Sequence, residues 1–222
     1  MTLQETIQQI RKECRLAMNG VASSSMREKG LTYKLNFGLM QEQIKRIAGE
    51  YAPDSQLAEL LWQEETRELK IFATLLYPTE KFTEETADRW LAEIPNQEIR
   101  EQVCINLFQR LPFAENKAME WVGSSSPETR ITGYWLLARL ILRKGIKETL
   151  DVNRFPFVWD DIYADDLFLR NAALLVLKHT GRQSKQEADN ILAKIVDFKG
   201  SANPLKQEAY NNITFEFEFF FG

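Results

Sequence analysis

A helical unit returns four times along this 222-residue chain, and that return limits what the chain can fold into. One copy runs from Glu65 to Leu76 and a second from Glu98 to Phe108. A third runs from Glu128 to Ala138 and a fourth from Asp166 to Leu177. Each sets an arginine, Arg67, Arg100, Arg130 or Arg170, ahead of an apolar helical run. The copies recur roughly every 30–40 residues, the period of two-helix solenoid repeats such as HEAT. The expected fold is therefore all-α, a right-handed superhelix of HEAT-like helical repeats, with residues 1–222 as a single domain. A solenoid buries one side of each pair against its neighbours and presents the other along a curved face. The recurring arginines are expected in a row there, and a row of arginines suggests a polyanionic partner.

Local signals divide the chain. Leu3, Ile7, Ile10 and Cys14 recur at helical spacing, and Thr2 with Glu5 has the form of a capping box. Gly20 to Gly30 breaks that pattern and reads as a small polar connection. Tyr33 to Gly38 reads as an irregular approach to a helix over about 39–51. Asp54, Thr83, Asn96 and Ser126 are candidate N-caps, and Asp165 or Asp166 begins the helix of the fourth copy. Pro127 suits a first helical turn, and Gly145 is expected to close the helix it begins. Asn203-Pro204 opens the last helix. Beyond it, Ile213 to Phe221 alternates like a strand. Two readings stand for this tail: a segment packed on the last repeat as a helix or extended cap, or an exposed aromatic edge.

Charge speaks both ways about a polyanion. The formal net charge is −4, with acids crowded between Asp54 and Glu98. Nucleic-acid affinity comes largely from displaced counterions, so dedicated binders carry a basic excess. Yet Arg139, Arg143, Lys144 and Lys147 cluster, as do Lys178, Arg182 and Lys185, so a local basic face is compatible with the sequence. No apolar run approaches the roughly 18 residues of a membrane span, and the first residues lack a signal-peptide pattern. A cytoplasmic protein is expected, without membrane association, its Cys14 and Cys104 reduced and buried.

Catalytic motifs are sparse. Glycines are too scattered for a phosphate cradle. His179 is the sole histidine, and its place late in a helix favours a structural or dipole-facing role. One histidine and two distant cysteines do not make a transition-metal site, so neither metal nor cofactor is expected. The five tryptophans sit at helical spacing and read as core before site. Arg130, one turn into its helix, either caps a ligand phosphate or pairs with Glu128 or an acid of a neighbouring repeat.

Three stretches carry a family resemblance: Leu57-Ala-Glu-Leu-Leu-Trp62 with Arg67 to Leu76, Ala87-Asp-Arg-Trp-Leu91, and Ala118-Met-Glu-Trp-Val122 followed by Arg130. From about Tyr33 to Lys199 the chain resembles the HEAT-like repeat DNA alkylation repair glycosylases, the AlkD-like family. The resemblance implies excision of cationic N3- or N7-alkylated purines from duplex DNA. The departing base already carries charge, so the protein's task is to stabilise an oxocarbenium-like sugar. In the family an aspartate, two tryptophans and a backbone-holding arginine do this.

This sequence departs from that set. Gln97 stands at the first tryptophan's position, Glu101 at the aspartate's and Leu175 at the second tryptophan's. Arg130 matches outright, and Glu98 is the competing carboxylate if the register slips. Glutamine offers no π face, and glutamate sets its charge one methylene further out. The expectation is a duplex-DNA-binding protein with Arg100, Arg130 and Arg170 on phosphates. Glycosylase activity would be weak or lost, any remainder resting on Glu101. The alternative is a non-catalytic HEAT-repeat scaffold whose protein partner is an acidic or helical peptide.

Overall fold

The computed structural model describes residues 2–144, 146 and 151–222. Gly145, expected to end a helix, and Lys147 of the basic cluster lie outside them. Thirteen α-helices are present among the described residues, and the backbone bridges no strands beyond an isolated pairing of Leu35 with Thr66. The chain separates into two compact units, Met1–Leu111 and Pro112–Gly222.

The first unit holds α1 (Leu3–Leu16), α2 (Gly20–Glu28), α3 (Gln41–Ala48), α4 (Ser55–Trp62), α5 (Arg67–Leu76), α6 (Glu84–Ala92) and α7 (Gln97–Asn106). Thr2 and Glu5 close the capping box at the start of α1, while Asp54, Thr83 and Asn96 accept the third backbone N–H of α4, α6 and α7. Each cap satisfies a donor the helix cannot satisfy itself. α5 packs on α4, α3 and α7. Between repeats the Trp62 and Trp90 rings stack 4.1 Å apart and 3° from parallel, with Tyr77 and Phe82 edge-on to Trp90. Trp62 donates from Nε1 to Glu93 at 2.7 Å. Both tryptophans are core, as their helical spacing suggests.

Residues 20–28 form a helix where the sequence suggests a polar connection. Asn19 caps it through the Ala22 N–H, and the buried Ser23 hydroxyl donates to the Asn36 carbonyl at 2.8 Å. Gly38 makes this approach feasible. Its φ of +74° lies in the left-handed region, and a Cβ there would sit 2.7 Å from the Ser23 nitrogen. A tertiary contact, not apolar periodicity, defines α2.

The second unit holds α8 (Ala114–Val122), α9 (Pro127–Leu142), α10 (Val158–Asp161), α11 (Leu167–Gly181), α12 (Lys185–Lys194) and α13 (Pro204–Phe221). α9 packs on α8 and α11, and α13 on α11 and α12. Ser126 and Asp166 cap α9 and α11. α9 ends through Lys144, which adopts φ of 53°, the left-handed turn that commonly closes a helix. The tail is helical: Ala209, Ile213 and Phe217 share the buried face of α13, and Phe215 and Phe219 lie exposed. The alternation of Phe and Glu is thus absorbed into a 3.6-residue period. The Phe217 ring lies where a Cβ on Gly181 would be, so these two residues close the joint between α11 and α13.

Candidate nucleic-acid interface

Arginine near a helix N-terminus is electrostatically unfavourable, because the helix dipole is positive there. Arg100, Arg130 and Arg170 all stand four residues past their N-caps, Asn96, Ser126 and Asp166. Something must offset that placement, and the second unit provides two devices.

The first is local. Arg130 Nη1 donates to the carbonyl oxygens of Ser124 and Ser125, both at 3.1 Å. Arg170 repeats this six and five residues back, on Ala164 and Asp165. Each side chain therefore turns onto the loop that precedes its own helix.

The second device is an acid of the following repeat. Arg130 Nε and Nη2 meet the two Asp161 carboxylate oxygens at 2.7 and 2.8 Å. Tyr134, one turn along α9, donates to the same carboxylate at 2.8 Å. The Phe157 ring lies 4.5 Å from the guanidinium carbon. Arg130 is 7% exposed and Asp161 4%. The hydrogen bond to Asp161 raises the arginine's pKa despite the opposing effect of burial. Burial first, and then Asp161, raises that of Tyr134. Arg170 has no carboxylate partner among the described residues and is half-buried.

The first unit uses the same forward link. Arg67 Nε and Nη2 contact Glu98 at 3.0 and 2.7 Å, again 31 residues on. Its Nη1 reaches Glu68 at 3.0 Å and the Leu39 carbonyl at 2.9 Å. Glu68 is fully buried, and it also accepts from the backbone of Phe37 and Leu39. Tyr33 donates to Glu98 at 2.6 Å. Glu98, the competing carboxylate of the sequence, is thus engaged by Arg67 and Tyr33.

Glu101 has different company. Gln97 Nε2 donates to it at 3.0 Å, and the same amide accepts from Arg100 Nη1 at 2.7 Å. Gln97, Arg100 and Glu101 form one polar chain along the first turns of α7, with Arg100 buried and the other two partly exposed. The Gln97 amide is clasped between a cation and an anion. Leu175, expected from the family resemblance at the second tryptophan's position, is half-buried on α11.

Of the basic clusters, Lys178 and Arg182 both pair with Glu216, and Lys185 pairs with Asp189. Arg143 and Lys144 are exposed. His179 is buried on α11, and burial first, then Arg182, lowers its pKa. No group of histidine, cysteine and acidic residues able to hold a metal ion occurs among the described residues. No described helix is long and apolar enough to cross a membrane.

Of the sequence readings of Arg130, pairing with an acid of a neighbouring repeat is the one observed, the acid being Asp161. The signal was available in the register, since Arg67 and Glu98 have the same separation.

A family model described as DNA alkylation repair enzyme matches residues 21–154. A solved structure described as "a new family of proteins related to the HEAT-like repeat DNA glycosylases with affinity for branched DNA structures" matches with a TM-score of 0.71 at 15% identity. It covers 99% of this chain and 95% of that one. At this identity the likeness establishes the fold, a stack of HEAT-like helical repeats. No curated protein matches the chain.

Proposed function

Because the chain belongs to the DNA alkylation repair enzyme family, we propose that it binds DNA on its helical stack and releases alkylated bases slowly or not at all. The observation that carries this reading is the Gln97 amide held between Arg100 and Glu101. Release of a cationic purine leaves positive charge on the sugar. That charge is stabilised by an anion and by ring faces at contact distance. Gln97 provides no ring, and its hydrogen bond holds the Glu101 carboxylate along the helix. A glutamate in this position can retain weak activity; it cannot replace two aromatic walls.

Binding is a separate matter from cleavage. The solved structure of like fold belongs to proteins with affinity for branched DNA, which supports DNA as the partner here without requiring base excision. Among the repeat arginines, Arg170 is suited to a phosphate, having no carboxylate partner among the described residues. Arg100 is buried and reaches Glu101 only through the Gln97 amide. Arg130, with Asp161 and two carbonyls around it, serves the fold.

The test is a titration of linear and branched duplex at several salt concentrations. Log affinity should fall against log salt with a slope of about −0.9 per phosphate neutralised. Failure to bind either DNA at low salt would transfer support to the scaffold reading. That second reading draws on the exposed Phe215 and Phe219 of α13, an apolar pair suited to a helical partner.

A further inference from the structure

The first 48 residues of this chain carry a net positive charge and the remainder a net negative one. Residues 1–48 contain eight Lys and Arg against four Asp and Glu, whereas the remaining residues contain 20 against 28. Among the later cations, Arg67, Arg89, Lys117, Arg130, Lys178, Arg182 and Lys185 have carboxylate partners. Lys12 and Arg15 have none among the described residues, and both are exposed. They lie three residues apart on the α1 face opposite Ile7, Ile10 and Cys14, which are buried.

That face runs into an apolar tip. Leu16 is 78% exposed and Val21 82%, with Met18 exposed between them at the turn from α1 to α2. Large apolar side chains so fully in water, beside unpaired cations, are not needed by the core beneath them. The tip is also small. Upstream on the same face α1 is polar, with Glu5 and Gln8 exposed, so it lacks the helix-long apolar stripe that would lie in a lipid surface.

We infer that this corner of the first unit is the contact for branched DNA, with Lys12 and Arg15 on phosphates and Leu16, Met18 and Val21 covering a base left unstacked at the branch. The inference rests on the DNA-binding reading above and names where and how that binding occurs. Cation pairs hold backbone without regard to sequence. Apolar side chains gain most where a base step is already open, because no stacking has to be broken. A linear duplex offers the first contact and not the second. The corner thus discriminates by DNA shape.

The full chain and three variants distinguish the outcomes, each titrated with a labelled four-way junction and a linear duplex of equal length. In Lys12→Glu/Arg15→Glu, both affinities should fall about tenfold or more, and the salt slope should shrink by about two. In Leu16→Ser/Val21→Ser, the junction preference should fall several-fold while duplex affinity holds. A control reversal at exposed Lys194 and Lys199 should change neither. All the altered side chains are exposed, and circular dichroism reports whether the helices remain. In the unaltered protein, junction DNA should protect Lys12 from acetylation. DNA binding that is unchanged in both corner variants, with Lys12 unprotected in the wild type, overturns this assignment and leaves the DNA reading standing. Absence of DNA binding by the wild type overturns both. Capture by anionic phospholipid vesicles through the same residues, without DNA binding, also overturns both.

Discussion

Arg130 reaches 31 residues forward to Asp161, and the pair closes a buried bidentate bridge. Arg67 and Glu98 form the same link at the same separation. At Arg67 and Arg130 the recurring arginine is therefore a clasp between successive repeats. Its guanidinium suits the role because a planar fork can satisfy a carboxylate and a carbonyl in different directions.

Removing one partner of such a pair leaves the other charged and dry. Arg130→Ala should destabilise the protein by about 3–5 kcal/mol, and Asp161→Ala by a similar amount. The double variant should cost much less than the sum, because no buried charge is stranded. Urea midpoints of the four proteins check this. A small effect of Arg130→Ala on stability together with a large loss of DNA affinity would return Arg130 to the phosphates.

Base release should be slow. On the proposed matching of Gln97 and Leu175 to the two aromatic-wall positions, a single-turnover reaction on duplex containing N7-methylguanine should run on the order of 100-fold or more below a family member with the complete set. What remains should disappear in Glu101→Gln. Fast release that persists in this variant would show that another carboxylate, or another mechanism, is at work.

Acidification should weaken the fold through His179. Burial first, and Arg182 next, lower its pKa from 6.5; Lys178, Arg139 and Glu216 also act on it. In the folded chain the imidazole stays neutral where the unfolded chain's begins to protonate. The unfolded state then binds more protons, so this contribution to stability is complete above about pH 6.5 and is lost as pH falls through the folded value. The drop in urea midpoint between pH 7.5 and pH 5.5 should be smaller in His179→Gln. An equal drop in both proteins would remove the histidine from the account.

Gly181→Ala should loosen α13. A Cβ at this position overlaps the Phe217 ring, and overpacking of this kind costs about 1–3 kcal/mol. Proteolysis within residues 204–221 should accelerate before global unfolding does. Unchanged cleavage would mean that the ring has room to shift.

Much of the helical plan was legible because capping is local. Asp54, Thr83, Asn96, Ser126 and Asp166 announce their helices within three residues. α2 was not, since it depends on Ser23 meeting Asn36 and on Gly38 clearing the approach, contacts between segments more than a dozen residues apart. At the candidate site the repeat positions of Arg100, Arg130 and Arg170 could be read directly. That Arg130 can pair with an acid of a neighbouring repeat was legible; that the acid is Asp161 was not visible locally, because it lies one repeat later. The exposure of Leu16 and Val21 is equally invisible in periodicity, which ranks residues by apolarity and not by what covers them.

The 31-residue link also bears on how the chain acquires its shape. Arg130 and Asp161 must find each other across a modest stretch of chain, and loop-closure entropy rises only slowly with length, by about 0.6 kcal/mol per doubling. The segment joining α9 to α10 can therefore lengthen at small thermodynamic expense while the clasp still shuts. Contacts of this modest sequence separation favour rapid folding. Order can spread from one repeat to the next within each unit, and each closed clasp templates its neighbour.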